Sequence, residues 1–143
     1  REEAAIHMKL DILDRVEAFR TASPAVRGAV ARRLSREVVT PGGFVLREGA
    51  EGSQMYFIVR GEVEILKGQQ SEPVRTLGPG DFFGEMALVG KGRRSASVRA
   101  RDYVELYVLS KEGLDAVMQQ YPEAAEHFRQ KAREREAAGR QMP

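Results

Sequence analysis

The sequence of 143 residues contains no cysteine, no tryptophan and only two histidines. The absence of cysteine excludes disulfide bonds, thiolate metal sites and cysteine nucleophiles. The two histidines, His7 and His127, lie in predicted helices at opposite ends of the chain. A metal-dependent enzyme or a Ser-His-Asp hydrolase needs histidine and carboxylate groups gathered at one site, so we expect no bound metal and no enzymatic activity.

The sequence also lacks a long uncharged segment and a strong excess of one charge. Its longest run without Asp, Glu, Lys or Arg covers residues 38–46, whereas a membrane-spanning helix needs about 20 apolar residues. The formal net charge is +2, which gives no reason to expect a nucleic-acid partner. The chain begins Arg1-Glu2-Glu3, without an initiator methionine or an apolar signal core, as expected for an internal segment of a longer protein.

Residues 1–35 have the apolar spacing of helices. An apolar stripe over residues 12–19 predicts a first helix. Ser23 followed by Pro24 is typical of an N-cap and a first helical residue, and a second helix is expected to continue to about Leu34.

Residues 36–110 change to short β-branched or aromatic runs separated by glycine-rich turns. Glutamates alternate with Val63 and Ile65, which predicts one solvated and one buried sheet face. The pattern indicates an α+β fold, mainly β, in which an eight-stranded jelly-roll barrel is flanked by N-terminal helices and two C-terminal helices. The predicted strands are 38–39, 44–46, 55–59, 63–66, 74–77, 81–83, 96–100 and 103–109.

Residues 111–143 are expected to form two C-terminal helices. Ser110 is a suitable N-cap for the first of them, which Tyr121-Pro122 interrupts. The last helix is predicted to begin near Glu123 and to run towards Gly139.

The segment 82–98 contains the residues that indicate a ligand site. Gly84 ends a strand, and residues 85–88 lack strand alternation, so we predict a single helical turn whose free N–H groups favour an anion. The period of a strand places Arg94 on the inward, apolar side, where its guanidinium needs an anionic partner. One alternative stays open, a structural ion pair between Arg94 and Glu85. Residues 93–97 also have the spacing of a basic-directed kinase phosphorylation site, which we discount because a strand interior is a poor kinase substrate.

Residues 84–98 resemble the phosphate-binding cassette of cyclic-nucleotide-binding domains, with Gly-Glu, a variable loop and Arg-Ser-Ala in order. The resemblance covers most of the chain. Within that superfamily, residues 93–100 and 109–122 are most similar to cyclic-nucleotide-gated and hyperpolarisation-activated channels, and residues 6–13 resemble the end of their pore-to-sensor linker. Other shared segments are Pro41-Gly42, Glu48-Gly49, Met55-Tyr56-Phe57-Ile58, Gly61-Glu62-Val63 and Leu77 through Glu85.

The resemblance implies a role for each residue of the cassette. Arg94 would pair with the cyclic phosphate, helped by the backbone N–H groups of Met86 and Ala87 after Gly84. Glu85 would accept a hydrogen bond from the ribose 2′-hydroxyl. Ser95 would reach the phosphate or the purine edge, although its strand parity is outward and the contact needs a local bend.

Further residues are implied to contact the base. Ile65 and Leu77 would flank it, although both also fit an ordinary barrel core. Arg135 shares a helix face with Phe128 and Ala132, and it would cap the purine if Phe128 packs on the barrel. The alternative for Arg135 is a solvated run of charges.

The resemblance implies a regulatory domain that binds cAMP as its ligand and contains no metal. Gly139 stands where some channels have an acidic residue tied to cGMP preference, which favours cAMP, while Ser95 leaves cGMP open. The full protein would be a tetrameric, potassium-conducting channel of bacterial type. This segment, itself monomeric or not, would face the cytoplasm and act on a pore domain through its last helix. The alternatives are the sensor of a catabolite-activator-type regulator or of a cyclic-nucleotide-dependent kinase regulatory subunit.

Overall fold

The computed structural model describes residues 2–68, 72–85, 88 and 93–138, and within these ranges the side chains of 2–3, 132 and 135–138 are outside the description. Five helices and eight strands are present in the described part. The helices are α1 (Glu2–Leu13), α2 (Glu17–Arg20), α3 (Pro24–Arg32), α4 (Lys111–Gln120) and α5 (Pro122–Ala138). The strands are β1 (Ser35–Val39), β2 (Phe44–Leu46), β3 (Gln54–Arg60), β4 (Val63–Leu66), β5 (Arg75–Leu77), β6 (Phe82–Phe83), β7 (Ser97–Ala100) and β8 (Val104–Ser110).

The strands form two antiparallel sheets of four, in the orders β1-β8-β3-β6 and β2-β7-β4-β5. In the first sheet, β3 pairs with β8 on one side and with β6 on the other. In the second, β4 pairs with β5 and β7. The predicted α+β fold with eight short strands in a jelly-roll arrangement is therefore confirmed, although the helices contain more residues than the strands.

Alternation along the strands divides the buried side chains into two clusters. The cluster between the sheets, called the roll interior here, includes Tyr56, Ile58 and Ile65. The second cluster lies between the helices and the outer face of the first sheet, and includes Met55 and Phe57 of β3. Successive residues of β3 therefore face opposite sides, so that both clusters are built on the same strand.

Ion pairs occupy the outer face of the second sheet, as the alternation on β4 predicts. Glu64 accepts a hydrogen bond from Arg99 of β7 at 2.9 Å, and Glu62 accepts one from Arg101 at 3.0 Å. Val63 and Ile65 are buried in the roll interior. The division of β4 into a polar and an apolar face is thus confirmed.

The prediction of two N-terminal helices is wrong, since three short helices precede β1. Val16 has an extended backbone (φ −108°, ψ 122°) and separates α1 from α2. Leu13 and Phe19 still reach the same buried cluster from either side of this break, so the apolar stripe is real although it does not lie on one helix. The Ser23 N-cap is confirmed, because its Oγ accepts a hydrogen bond from the Val26 N–H at 3.3 Å.

The two C-terminal helices begin where the sequence predicts. Ser110 Oγ accepts a hydrogen bond from the Gly113 N–H at 2.9 Å and caps α4, and α5 starts at Pro122. None of the described helices is long and apolar enough to cross a membrane.

Candidate anion-binding site

Arg94 is fixed by backbone contacts on both sides. Its N–H donates to the Ala50 carbonyl at 2.8 Å, and its carbonyl accepts from the Gly49 N–H at 2.8 Å. Arg93 continues this pairing as an isolated bridge to Glu51. The β2–β3 loop therefore holds Arg94 in extended conformation just before β7, where an extended residue can direct its side chain inwards.

The Arg94 side chain is buried, as its strand parity predicts. Only 8% of the residue is exposed, which makes it the one buried charged residue among those described. Its NH1 group donates to the Gly84 carbonyl at 3.1 Å, and its NH2 group donates to the Gln54 carbonyl at 2.7 Å. The guanidinium therefore lies between the start of β3 and the cassette that follows β6.

Two glycines make room for the guanidinium. A Cβ on Gly52 would overlap the Nε and Cζ atoms of Arg94, and a Cβ on Gly84 would lie 3.0 Å from its NH1 atom. Gly84 also has φ +82°, a conformation that residues with a side chain rarely adopt. Glycine at these positions allows the backbone to approach the flat face of the cation.

No carboxylate neutralises Arg94 among the residues that the structure describes. Burial lowers the pKa of Arg94, and the opposing influence comes from Tyr56, a neutral phenol at physiological pH. The alternative of a structural Glu85–Arg94 ion pair is therefore wrong, because both side chains are described and Arg94 donates to main-chain carbonyls instead. A buried guanidinium without a carboxylate is poised to accept an external anion.

Glu85 directly follows Gly84, whose carbonyl accepts a hydrogen bond from Arg94. Glu85 and Leu88 have 3-10 conformation, which agrees with the predicted helical turn, whereas Met86 and Ala87 lie outside the described residues. The Glu85 Oε1 atom is shielded from solvent. The Gly84 carbonyl thus contacts Arg94, while the expected ligand contacts of Glu85, Met86 and Ala87 stay predictions.

Ser95 is exposed, and the chain bends at residues 95–96 before β7 begins at Ser97. A bend is thus present at Ser95, while contact of Ser95 with a ligand stays a prediction. Ile65 and Leu77 are 2% and 3% exposed and belong to the roll interior. Their role as barrel core is confirmed, and contact with a base stays a prediction.

The packing of Phe128, on which the expected capping by Arg135 depends, does not involve the roll interior. Phe128 belongs to the helical cluster rather than to the roll interior, and its ring meets Phe19 of α2 edge-on at 5.6 Å. Two further contacts join α5 to α2: Lys131 to Glu17 at 3.2 Å, and His127 Nε2 to the Ala18 carbonyl at 3.0 Å. The hydrogen bond to Glu17 raises the pKa of Lys131.

The backbone of Arg135 lies in α5, while its side chain is outside the described part of the chain. Capping of the base by Arg135 stays a prediction.

Two other contributors to the site have no signal in the sequence. The Gln54 carbonyl and the space above Gly52 both receive the Arg94 side chain. Gly52 appears in the sequence as one of many loop glycines, and a main-chain carbonyl has no residue-type signal. Pairing of the β2–β3 loop with residues 93–94, which brings them together, depends on tertiary structure.

The described residues contain no group of three or more histidine and acidic side chains that could hold a metal ion. His7 and His127, which the sequence places far apart, lie in α1 and α5. The centre of the candidate site is one buried cation held by two main-chain carbonyls.

Comparisons with known proteins show similarity to proteins related to cyclic nucleotides, and the family match includes the candidate site. The family profile described as "Cyclic nucleotide-binding domain" matches residues 36–121. The potassium/sodium hyperpolarization-activated cyclic nucleotide-gated channel 2 of Mus musculus and channel 1 of Oryctolagus cuniculus are each 41% identical to the chain over 104 residues, or 73% of the chain. Channel 4 of Oryctolagus cuniculus is 40% identical over the same length. The matched segment spans 12%, 12% and 9% of these relatives.

Proposed function

Because the chain belongs to the cyclic nucleotide-binding domain family, we propose that it is a regulatory domain that binds a cyclic nucleotide with its phosphate at Arg94. The observation that supports this function best is the burial of Arg94 without a carboxylate. A buried cation of this kind is costly unless an anion satisfies it. A cyclic phosphate supplies one negative charge and several acceptor oxygens in one group.

Each neighbouring residue receives a role in the proposal. Glu85 would accept a hydrogen bond from the ribose 2′-hydroxyl, and the backbone N–H groups of Met86 and Ala87 would donate to the phosphate. Ser95 would use the bend at 95–96 to contact the phosphate or the purine edge. These contacts follow the family pattern, and the positions of Gly84, Glu85 and Ser95 around Arg94 are compatible with them.

The base would lie against the apolar side of the second sheet. Ile65 and Leu77 supply buried aliphatic surface on neighbouring strands. Arg135 would cap the purine when α5 moves over the roll, where stacking of a guanidinium on the base is favourable. We propose cAMP as the preferred ligand, since Gly139 cannot provide the carboxylate that a guanine recognises, with cGMP as a second ligand.

We further propose that the domain regulates a cation channel that conducts potassium. The relatives at 40–41% identity are named as potassium/sodium channels gated by cyclic nucleotides, which supports a channel over a transcription regulator or a kinase subunit. The channel would be a tetramer, with this domain at the cytoplasmic face of the membrane and a pore domain as its partner. Ligand would shift α5 between two positions and so bias the pore through the N-terminal helices.

Calorimetric titration with a ligand series tests the binding function. We expect the 143-residue chain to bind cAMP and cGMP, with cAMP the tighter. Adenosine, which lacks the phosphate, is expected to bind at least a hundredfold more weakly, because loss of the charged partner of Arg94 costs about 3 kcal/mol or more. The 2′-deoxy analogue of cAMP should bind with an intermediate affinity, because it loses only the hydrogen bond to Glu85.

Two outcomes would contradict this assignment. If adenosine bound as tightly as cAMP, the proposed role of Arg94 would be contradicted. If neither cyclic nucleotide produced binding heat, the proposed function itself would be contradicted. Equal affinity for cAMP and its 2′-deoxy analogue would remove the proposed role of Glu85 alone.

A further inference from the structure

Two polar residues of β3, Gln54 and Tyr56, lie close to Arg94, Gln54 through its main-chain carbonyl. Gln54 and Tyr56 are two residues apart on one strand and so share a face. The Tyr56 hydroxyl donates to the Gln54 side-chain oxygen at 2.8 Å, and the Gln54 carbonyl accepts from Arg94 at 2.7 Å. Gln54 therefore contacts the Tyr56 hydroxyl with its side chain and the Arg94 guanidinium with its main-chain carbonyl.

The Tyr56 ring is held rigidly. It is 6% exposed and stacks on Phe83 of the paired strand β6, with ring centroids 5.2 Å apart and an interplanar angle of 16°. Tyr56 and Phe83 are direct partners in the register of the two strands. Because the ring cannot move without breaking this stack, its hydroxyl keeps the Gln54 side chain in one place.

Tyr56 and Arg94 are also close enough to influence each other's protonation. Burial raises the pKa of Tyr56 and Arg94 lowers it, while burial lowers the pKa of Arg94 and Tyr56 raises it. The other charged group that acts on Tyr56 is Glu37 of β1, which raises its pKa, and Glu85 stands next to Gly84 in the cassette. At neutral pH, the side chains of these two β3 residues are thus an amide and a neutral phenol, joined by a hydrogen bond.

We propose that Gln54 and Tyr56 form an uncharged support, which orients Arg94 without neutralising it and so leaves its positive charge for the phosphate. Both are positioning residues in this proposal, which rests on the proposed function. A carboxylate in the same place would pair with the guanidinium and compete with the ligand. An amide and a phenol supply dipoles and rigidity, but no competing charge.

The substitution Gln54→Glu tests the support because it changes the charge with almost no change in shape. The introduced carboxylate belongs to the residue whose carbonyl contacts the buried guanidinium, so we expect it to attract Arg94 and to lower cAMP affinity at pH 7.5 by roughly tenfold or more. Gln120→Glu, at the exposed end of α4, is the matched control with the same change in net charge, and we expect it to bind as the wild type does.

The pH dependence separates a competing charge from a packing defect. Phosphate bound at Arg94 would raise the pKa of the introduced carboxyl relative to its pKa in the ligand-free variant, where the guanidinium lowers it. Binding is then coupled to proton uptake, so the deficit of Gln54→Glu relative to Gln120→Glu should shrink as the pH falls from 7.5 to 4.5. A deficit caused by distorted packing would stay constant over this range. Measuring both variants at each pH cancels the protonation of Glu37 and Glu85, which the two proteins share.

Tyr56→Phe tests whether the Tyr56 hydroxyl contributes to the support. It also provides a test of the support if the Gln54→Glu variant does not fold. It removes one hydroxyl and keeps the stack on Phe83, so cAMP affinity should fall about three- to tenfold, the value of roughly one buried hydrogen bond. Tyr107→Phe is the matched control, since Tyr107 is equally buried but faces the helices. Thermal unfolding of each variant verifies that it is folded.

The outcomes distinguish this proposal from the proposed function. Wild-type protein that binds neither cAMP nor cGMP overturns both. If the wild type binds cAMP and Gln54→Glu binds it as tightly as Gln120→Glu, the support is overturned and the proposed function stands. The same conclusion follows if Gln54→Glu binds cAMP more weakly than Gln120→Glu by the same factor at every pH. Tyr56→Phe binding as tightly as Tyr107→Phe also overturns the support.

Discussion

At the scale of single residues, the site depends on one buried cation and on what surrounds it. Arg94 donates to two main-chain carbonyls and lies against Gly52, while burial lowers its pKa. Carbonyl oxygens satisfy some of its five N–H donors and leave its charge uncompensated. The residue is therefore better adapted to an incoming anion than to stabilising the ligand-free fold.

The space at Gly52 leads to a prediction about this residue. In Gly52→Ala the new methyl group would overlap the guanidinium, so Arg94 must leave its present position. We expect cAMP affinity to fall roughly 10- to 100-fold, as for the loss of a hydrogen bond to a charged group worth about 1.5–3 kcal/mol. Calorimetry measures this change.

Gly42→Ala is the control for a glycine substitution in a loop. Gly42 has φ +85°, so alanine strains the backbone there, but nothing lies within 4 Å of the added Cβ. We expect Gly42→Ala to lower the melting temperature with little effect on affinity. A Gly52→Ala protein that binds cAMP as tightly as Gly42→Ala would show that the position of the guanidinium is unimportant.

At the scale of elements, α5 is the helix whose position connects the site to the rest of the chain. Its first half rests on α2 through Phe128, His127 and Lys131, away from the roll interior. The proposed lid function requires the second half to approach the ligand. If α5 moves towards the ligand as one rigid helix, either its contacts with α2 break or α2 moves with it.

Hydrogen exchange tests this requirement. We expect saturating cAMP to slow amide exchange in α5, and to change exchange in α2 at the same time because the two helices share buried contacts. The strand β8, at the centre of the first sheet, serves as an internal reference. Unchanged exchange in α5 with bound ligand would exclude the lid mechanism, and a response of α5 alone would exclude coupling through α2.

At the scale of the whole molecule, the sequence predicted the elements better than the contacts between them. Glycine-bounded β-branched runs identified all eight strands, and strand parity identified Arg94 as an inward residue. The break at Val16 was missed because residues 12–19 keep an apolar spacing on both sides of it. The packing of Phe128 was also missed, since helical spacing defines a face but does not reveal which surface it meets.

The same limit applies to the site. Gly84, Glu85 and Arg94 were found because side-chain type and spacing are visible in a sequence. The Gln54 carbonyl and the space above Gly52 were not found, because they are backbone features created when the β2–β3 loop pairs with residues 93–94. The groups that the Arg94 guanidinium contacts also depend on tertiary structure, because the sequence is compatible with an Arg94–Glu85 ion pair as well as with the observed main-chain carbonyls.

The central claim is that Arg94 is reserved for the phosphate of a cyclic nucleotide, and cAMP titration of three arginine variants tests it most directly. Arg94→Ala leaves a desolvated phosphate without its partner and should cost on the order of 3–5 kcal/mol of binding. Arg135→Ala removes only stacking on the base and should cost roughly 0.5–2 kcal/mol. Arg93→Ala, an exposed neighbour that donates to the Gly49 carbonyl, should bind nearly as the wild type does. A large, selective loss in Arg94→Ala is the predicted result, whereas equal and small losses in all three variants would contradict the account.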